Sequence, residues 1–205
     1  MSLRVALLSV HTCPLAALGG KETGGMNVYV REVARELGHL GLAVDVFTRS
    51  QDPAIPEVVA LGERARVIHL PAGPARPLAR EAVAGHLGAF AEAVERVRRR
   101  DGLDYAVIHS HYWLSGLVGL ELARRWGRPL VHMFHTLAAL KNAVARAPEE
   151  REPDARVEAE TRIARGADRI VAANFVERAH LAWHCRADVS RIRVIPCGVD
   201  LDRFR

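Results

Sequence analysis

Residues 3–10 read Leu-Arg-Val-Ala-Leu-Leu-Ser-Val, and residues 43–48 read Ala-Val-Asp-Val-Phe-Thr. Between them lie a loop with two glycine pairs, Gly19-Gly20 and Gly24-Gly25, and the segment Met26–Leu40. That segment sets Val28, Val33, Leu37 and Leu40 on one side and is punctuated by Gly38 and Gly41. A short apolar run bounded by turn residues reads as a buried strand, and the segment after the loop reads as an amphipathic helix ended by glycine. Strand, glycine loop, helix and strand together make a βαβ unit, the element from which parallel sheets are built.

The alternation continues along the chain. Arg66–Leu70, Tyr105–His109, Leu130–Met133, Arg169–Ala173 and Arg193–Ile195 read as further strands. Leu78–Arg100, Trp113–Trp126, Arg156–Ala164 and Val176–His184 read as helices; in the first, Val83, Leu87, Phe90, Val94 and Val97 recur every three or four residues. Ser50–Gly62, with Pro53 and Pro56, and Arg146–Pro153 read as loops. The fold class expected is α/β, a Rossmann-like doubly wound parallel sheet. Sheets of this kind bind ligands beyond the carboxyl ends of their strands.

Composition narrows the function. Hydrophobic residues make up 49% and charged residues 26% of the 205, the balance of an ordinary globular protein rather than a disordered or fibrous one. The longest stretches without Asp, Glu, Lys or Arg, Val5–Gly20 and Tyr105–Leu120, are 16 residues each and fall short of the roughly 20 of a membrane span. No signal peptide precedes the first strand. The net charge is +5, but lysine occurs only at Lys21 and Lys141, so arginine carries almost all of the 29 basic residues. The dense cluster Arg96, Arg98, Arg99 and Arg100 ends a helix, where it complements the helix dipole; no nucleic-acid partner is expected. Cys13, Cys185 and Cys197 are odd in number and widely spaced, and point to no metal or disulfide and to a cytoplasmic location.

Three loops carry chemistry. The first, His11–Asn27, places glycine pairs at a strand-to-helix turn, where backbone N–H groups attract anions. It matches neither the dinucleotide fingerprint nor a P-loop, and a plain flexible turn is the alternative. The second reads His109-Ser110-His111-Tyr112-Trp113-Leu114-Ser115-Gly116, and the third runs from His132 through His135, Thr136 and Lys141 to Asn142. Polar rings clustered on adjoining strand ends suit a polar ligand site, although strand alternation turns some of these histidines into the core.

The segments GGKETGGMNVYVREVA (Gly19–Ala34), IHSHYWLSG (Ile108–Gly116), HTLAALKN (His135–Asn142) and IPCGVDLDRF (Ile195–Phe204) resemble the retaining family 4 glycosyltransferases of the GT-B fold. The resemblance is strongest to the group holding sucrose-phosphate synthases and the mycothiol-pathway inositol-phosphate N-acetylglucosaminyltransferases. It implies that residues 1–195 form the N-terminal, acceptor-binding domain. Residues 196–205 would begin the hinge to a donor-binding domain that this chain lacks. It implies hexosyl transfer from a nucleotide sugar to an acceptor, here a phosphorylated polyol or sugar, with no metal or other cofactor. A homodimer of the full-length protein is compatible with the resemblance. This chain alone is expected to be inactive.

The resemblance also implies roles. His135 matches the histidine beside the transferred sugar and the acceptor, and is the catalytic candidate. Gly24 and Gly25 would turn backbone N–H groups toward the donor phosphates. Asn27 matches an acceptor-hydroxyl contact. Tyr112, Thr136 and Arg156 match positions that hold the acceptor phosphate, and Lys141 matches a phosphate-binding lysine. Arg80 stands where the inositol-phosphate enzymes have lysine, so the charge persists but the planar fork changes its grip. Cys13 stands in place of a serine and has no assigned role. The alternative for Arg156 is an ion pair with Glu152 or Glu160 along one helix face; for Arg80 and Lys141 it is a solvated surface charge. The alternative for the whole chain is a non-catalytic binding domain for a phosphorylated polyol or sugar.

Overall fold

The computed structural model describes residues 3–17, 19 and 24–201. Leu18, Gly20–Thr23 of the glycine loop and residues 202–205 of the terminal motif lie outside the described residues. Eight strands form one sheet: β1 Arg4–Leu8, β2 Ala43–Arg49, β3 Val58–Ala60, β4 Ala65–Leu70, β5 Val107–His111, β6 Leu130–Met133, β7 Arg169–Ala172 and β8 Ile192–Val194. Their order is β3-β4-β2-β1-β5-β6-β7-β8, and all neighbours are parallel except the β3–β4 pair. The chain runs outward from β1 in one direction, returns to lay β5 beside β1, and then runs outward in the other. The carboxyl ends of β1 and β5 therefore flank the switch point where ligands bind in such sheets.

Among the described residues seven helices accompany the sheet: α1 Gly25–His39, α2 Arg80–Ala84, α3 Leu87–Arg100, α4 Tyr112–Trp126, α5 Ala138–Val144, α6 Asp154–Gly166 and α7 Phe175–His184. Alternate residues of β1 feed two separate cores, as a doubly covered strand requires. Ala6 and Leu8 join the larger core with Phe90, Val94, Leu114, Val118 and Ile163. Val5 and Leu7 join a smaller one with Val30, Ala34, Val44 and Val67.

Several elements differ from the reading of the sequence. Val58–Ala60 lies in the stretch read as a loop and forms a three-residue antiparallel edge strand, too short and exposed to leave an alternating pattern. The long helix expected over Leu78–Arg100 is two, broken at Gly85–His86. At the break the His86 ring lies on Gly73, whose φ is +77°. A Cβ at Gly73 would sit 2.7 Å from that ring. The fourth strand expected starts two residues later, at Val107. Tyr105 instead spans the preceding turn and donates its hydroxyl to buried Asp45, 2.7 Å away. The short helix α5 left no periodic signal.

The inner face of α1 also differs. Asn27, Val30, Ala34 and Gly38 are buried, whereas Leu40 is 78% exposed. Small residues bring the helix backbone onto the sheet, and a Cβ on Gly38 would touch Ala65 at 3.6 Å. The arginine cluster behaves as expected of a helix end. Arg98 and Arg99 pair with Glu95, and Arg100 pairs with Glu57 and Asp101. No helix among the described residues is long and apolar enough to cross a membrane.

Candidate acceptor site

The residues singled out in the sequence gather at the carboxyl ends of β1, β5 and β6 and on the helices that follow. Two of them occupy unusual backbone. Tyr112, which opens α4 directly after β5, has φ 71°, and His135, two residues past β6, has φ 63°. Left-handed backbone is costly for a side chain with a Cβ, and such outliers concentrate where a ring must be aimed at a site. Close packing underneath holds the strand ends in place. Gly116 and Gly119 let α4 settle on the sheet. A Cβ at Gly116 would meet Ile163 at 2.6 Å and His132 at 2.8 Å, and one at Gly119 would meet Leu130 at 2.8 Å.

Arg156 is the buried centre of the site, with a side chain 1% exposed. Its Nε donates to Glu160 Oε1 at 2.8 Å, and its Nη2 donates to the carbonyl and hydroxyl oxygens of Thr136 at 3.1 and 2.9 Å. The guanidinium lies over the Tyr112 ring, 4.8 Å from its centroid, a cation–π contact. Its Nη1 is 2.8 Å from Glu152 Oε1, a second ion pair. The ion pairs open as an alternative for Arg156 are thus both present. Glu160 in turn accepts from the N–H of Ala138 at the start of α5. Burial raises its carboxyl above the usual range despite Arg156.

Arg80 and Lys141 reach the same place from other segments. Arg80, the first residue of α2, donates to the Tyr112 hydroxyl at 3.0 Å and stands 3.6 Å from Glu152. Lys141 on α5 lies 2.7 Å from Glu152. Lys141 and Arg156 both follow β6, whereas Arg80 follows β4. A cavity of about 220 Å³, lined by Arg80, Glu81, Tyr112, Trp113, Glu152 and Arg156, opens beside them. Glu152 is the residue the reading of the sequence missed as a member of the site. It was named only as a helix-pair partner in a charged loop.

The histidines form a second cluster. His111 Nδ1 and His135 Nε2 are 2.9 Å apart. The Tyr29 ring stands edge-on to both, and Ser110 bonds His132. Burial, with smaller help from His109, lowers the pKa of His135 to about 4, so its ring is neutral at pH 7. Burial lowers His109 to about 4 as well. His11 falls to about 3 through burial and the nearby charges of Arg80, His135 and Arg156. Its ring packs on Tyr112 with centroids 4.6 Å apart.

Asn27 is 1% exposed, and its side chain is engaged internally. Its amide donates to Thr12 Oγ1 at 2.6 Å and to the Cys13 carbonyl at 2.7 Å, and its oxygen accepts from Gly24 N–H at 3.1 Å. In this state Asn27 ties the loop after β1 to the start of α1. Among the described residues nothing lies within 4 Å of the Cβ positions of Gly24 and Gly25, and the first turn of α1 carries no acidic residue. Cys13 contacts His69 at 3.3 Å. Among the described residues no group of His, Cys, Asp and Glu is arranged to hold a metal.

Residues 23–203 match the model of glycosyltransferase family 4. The chain belongs to that family. A D-inositol 3-phosphate glycosyltransferase of Geodermatophilus obscurus is 48% identical over 203 residues, 98% of this chain and 45% of that protein. The sucrose-phosphate synthase of Thermosynechococcus elongatus superposes with a TM-score of 0.90 at 35% identity, over 98% of this chain and 49% of that one. Anabaena HepE, solved in complex with UDP and glucose, shares the fold with a TM-score of 0.62 at 17% identity, over 98% of this chain and 46% of that one. The family 4 chain thus spans about half the length of the relatives it matches. The doubly wound sheet expected from the sequence is the fold of these neighbours.

Proposed function

We propose that this chain is the acceptor-binding half of a retaining, nucleotide-sugar-dependent glycosyltransferase that carries a hexosyl group to a phosphorylated polyol or sugar. The observation that carries the reading is the convergence of Arg80, Lys141 and Arg156 on one point beside Tyr112 and Thr136. Charge-assisted hydrogen bonds to a phosphate are strong, and a phosphate dianion placed there could engage all three cations. The names of the family 4 relatives support an inositol phosphate or a sugar phosphate as acceptor.

In this reading Arg80, Lys141 and Arg156 bind the phosphate, and the Tyr112 and Thr136 hydroxyls add neutral donors. That anchorage fixes the acceptor relative to His135. A neutral His135, braced by His111 and Tyr29, orients the reacting hydroxyl through a hydrogen bond without adding charge. The open N-terminus of α1 at Gly24 and Gly25 offers N–H groups to the donor diphosphate, where negative charge grows as the glycosidic bond breaks. Asn27 keeps that turn in place. The acceptor hydroxyl attacks on the face the leaving group departs from. Residues of a second, donor-binding domain complete the site, beginning after the segment at 196–205.

Full-length enzyme bearing Arg80→Ala or Lys141→Ala tests the assignment, with inositol and inositol phosphate compared as acceptors. Each variant is expected to lose about 10- to 100-fold in apparent affinity for the phosphorylated acceptor, with donor binding retained. An unchanged preference in both variants rejects the phosphate site. The 205-residue chain alone, incubated with nucleotide sugars and these acceptors, is expected to form no product, because donor and acceptor must be held together for reaction.

A further inference from the structure

A single oxygen, Glu152 Oε1, stands at the point where the site's cations meet. Lys141 Nζ is 2.7 Å from it, Arg156 Nη1 2.8 Å and Arg80 Nη1 3.6 Å. Three converging cations repel one another unless an anion stands between them. The protein supplies one from its own chain. The carboxylate is held there by its backbone: Glu152 N–H donates to Asn142 Oδ1 at 2.7 Å, and Asn142 Nδ2 donates to the Glu152 carbonyl at 3.2 Å. Burial opposes the charge of Glu152, but Lys141 and Arg156 outweigh it and hold the carboxyl below the usual range.

We propose that Glu152 is a specificity-determining residue, an internal anion that occupies the acceptor-phosphate seat and must be displaced by the ligand. The inference rests on the phosphate reading of the site given above. A ligand gains the cations only by offering them more than Glu152 does. A phosphomonoester dianion brings more charge and a trigonal set of oxygens that can engage both arginines and the lysine at once. A neutral polyol has nothing to exchange for the lost ion pairs and leaves Glu152 in place. Glu152 therefore lowers the affinity of every anion at the seat and offsets part of the positive charge of the empty site.

The test measures binding of inorganic phosphate and of myo-inositol to the 205-residue chain and to its Glu152→Gln variant at constant ionic strength. The glutamine keeps the shape and removes the charge. Phosphate is expected to bind the variant about tenfold to a hundredfold more tightly, with inositol unchanged. Arg80→Gln added to Glu152→Gln is expected to erase the gain, which places the phosphate at this seat. Asn142→Ala frees the Glu152 backbone and is expected to tighten phosphate in the same direction, so the idea stays testable if the glutamine variant does not fold. Equal or weaker phosphate binding by folded variants, with the wild type binding, overturns the role of Glu152 and leaves the phosphate site standing. An equal gain for inositol also overturns it, since the effect is then mere opening of the cavity. No phosphate binding by any form rejects both readings.

Discussion

Nδ1 of His111 and Nε2 of His135 lie 2.9 Å apart, joining the end of β5 to the residue that leaves β6. One ring donates and the other accepts across that contact, and burial keeps both rings neutral at pH 7. Burial lowers His135 to about 4, and His111, fully buried among His109, His132 and His135, falls well below its ordinary value.

That cluster makes stability depend on pH. His11, His109, His111, His132 and His135 all have depressed pKa values, with burial the first cause in each. The unfolded chain binds protons near pH 6.5 and the folded chain does not. Stability is therefore full above about pH 7 and falls as pH drops through the unfolded-state value toward 4. Denaturant midpoints are expected to fall steeply between pH 7.5 and pH 5. A flat profile over that range contradicts the buried neutral cluster.

Arg156→Ala and Arg80→Ala are expected to differ in stability, although both remove a cation from one site. Arg156 is 1% exposed and pairs with Glu160, itself 3% exposed, so its loss strands a buried carboxylate at a cost of about 3–5 kcal/mol. The Arg80 side chain is 29% exposed, and its loss costs under about 1 kcal/mol. Thermal unfolding of the two variants measures the difference; comparable losses sink the claim that Arg156 is also a structural residue.

Two glycines in the recognised motifs are expected to respond to a different extent to a methyl group. At Gly116 a Cβ would lie 2.6 Å from Ile163 and 2.8 Å from His132, both packed in the interior. Gly116→Ala is expected to cost about 1–3 kcal/mol. At Gly24, the N-cap of α1, no described atom lies within 4 Å, and Gly24→Ala is expected to cost only about 0.5–1 kcal/mol, through the poorer cap. Urea unfolding of both variants checks the contrast.

His135 sits at φ 63°. Replacing it by glycine removes the penalty of left-handed backbone, whereas alanine keeps the penalty and loses the ring. His135→Gly is expected to be more stable than His135→Ala by about 1 kcal/mol, the reverse of the order in ordinary backbone. The opposite order would falsify the strained geometry at the β6 end.

The local sequence was enough to identify the repeating strand–helix pattern, because strand runs such as Leu3–Val10 and helix spacing such as Phe90, Val94 and Val97 are short-range properties. The family motifs were also legible, since they are contiguous. Glu152 was not. It lies in a polar stretch that any surface loop could show, and its meaning comes from Arg80, Lys141 and Arg156, which reach it from three different helices. The left-handed backbone of Tyr112 and His135 was equally hidden, because neither is a glycine and only packing over-determines such a conformation. The break at His86 depends on Gly73, thirteen residues earlier. The sequence by itself determined the order of elements and which residues carry charge and rings. The tertiary structure decided which of those charges meet, because an ion pair depends on distance across the sheet ends and not on separation along the chain.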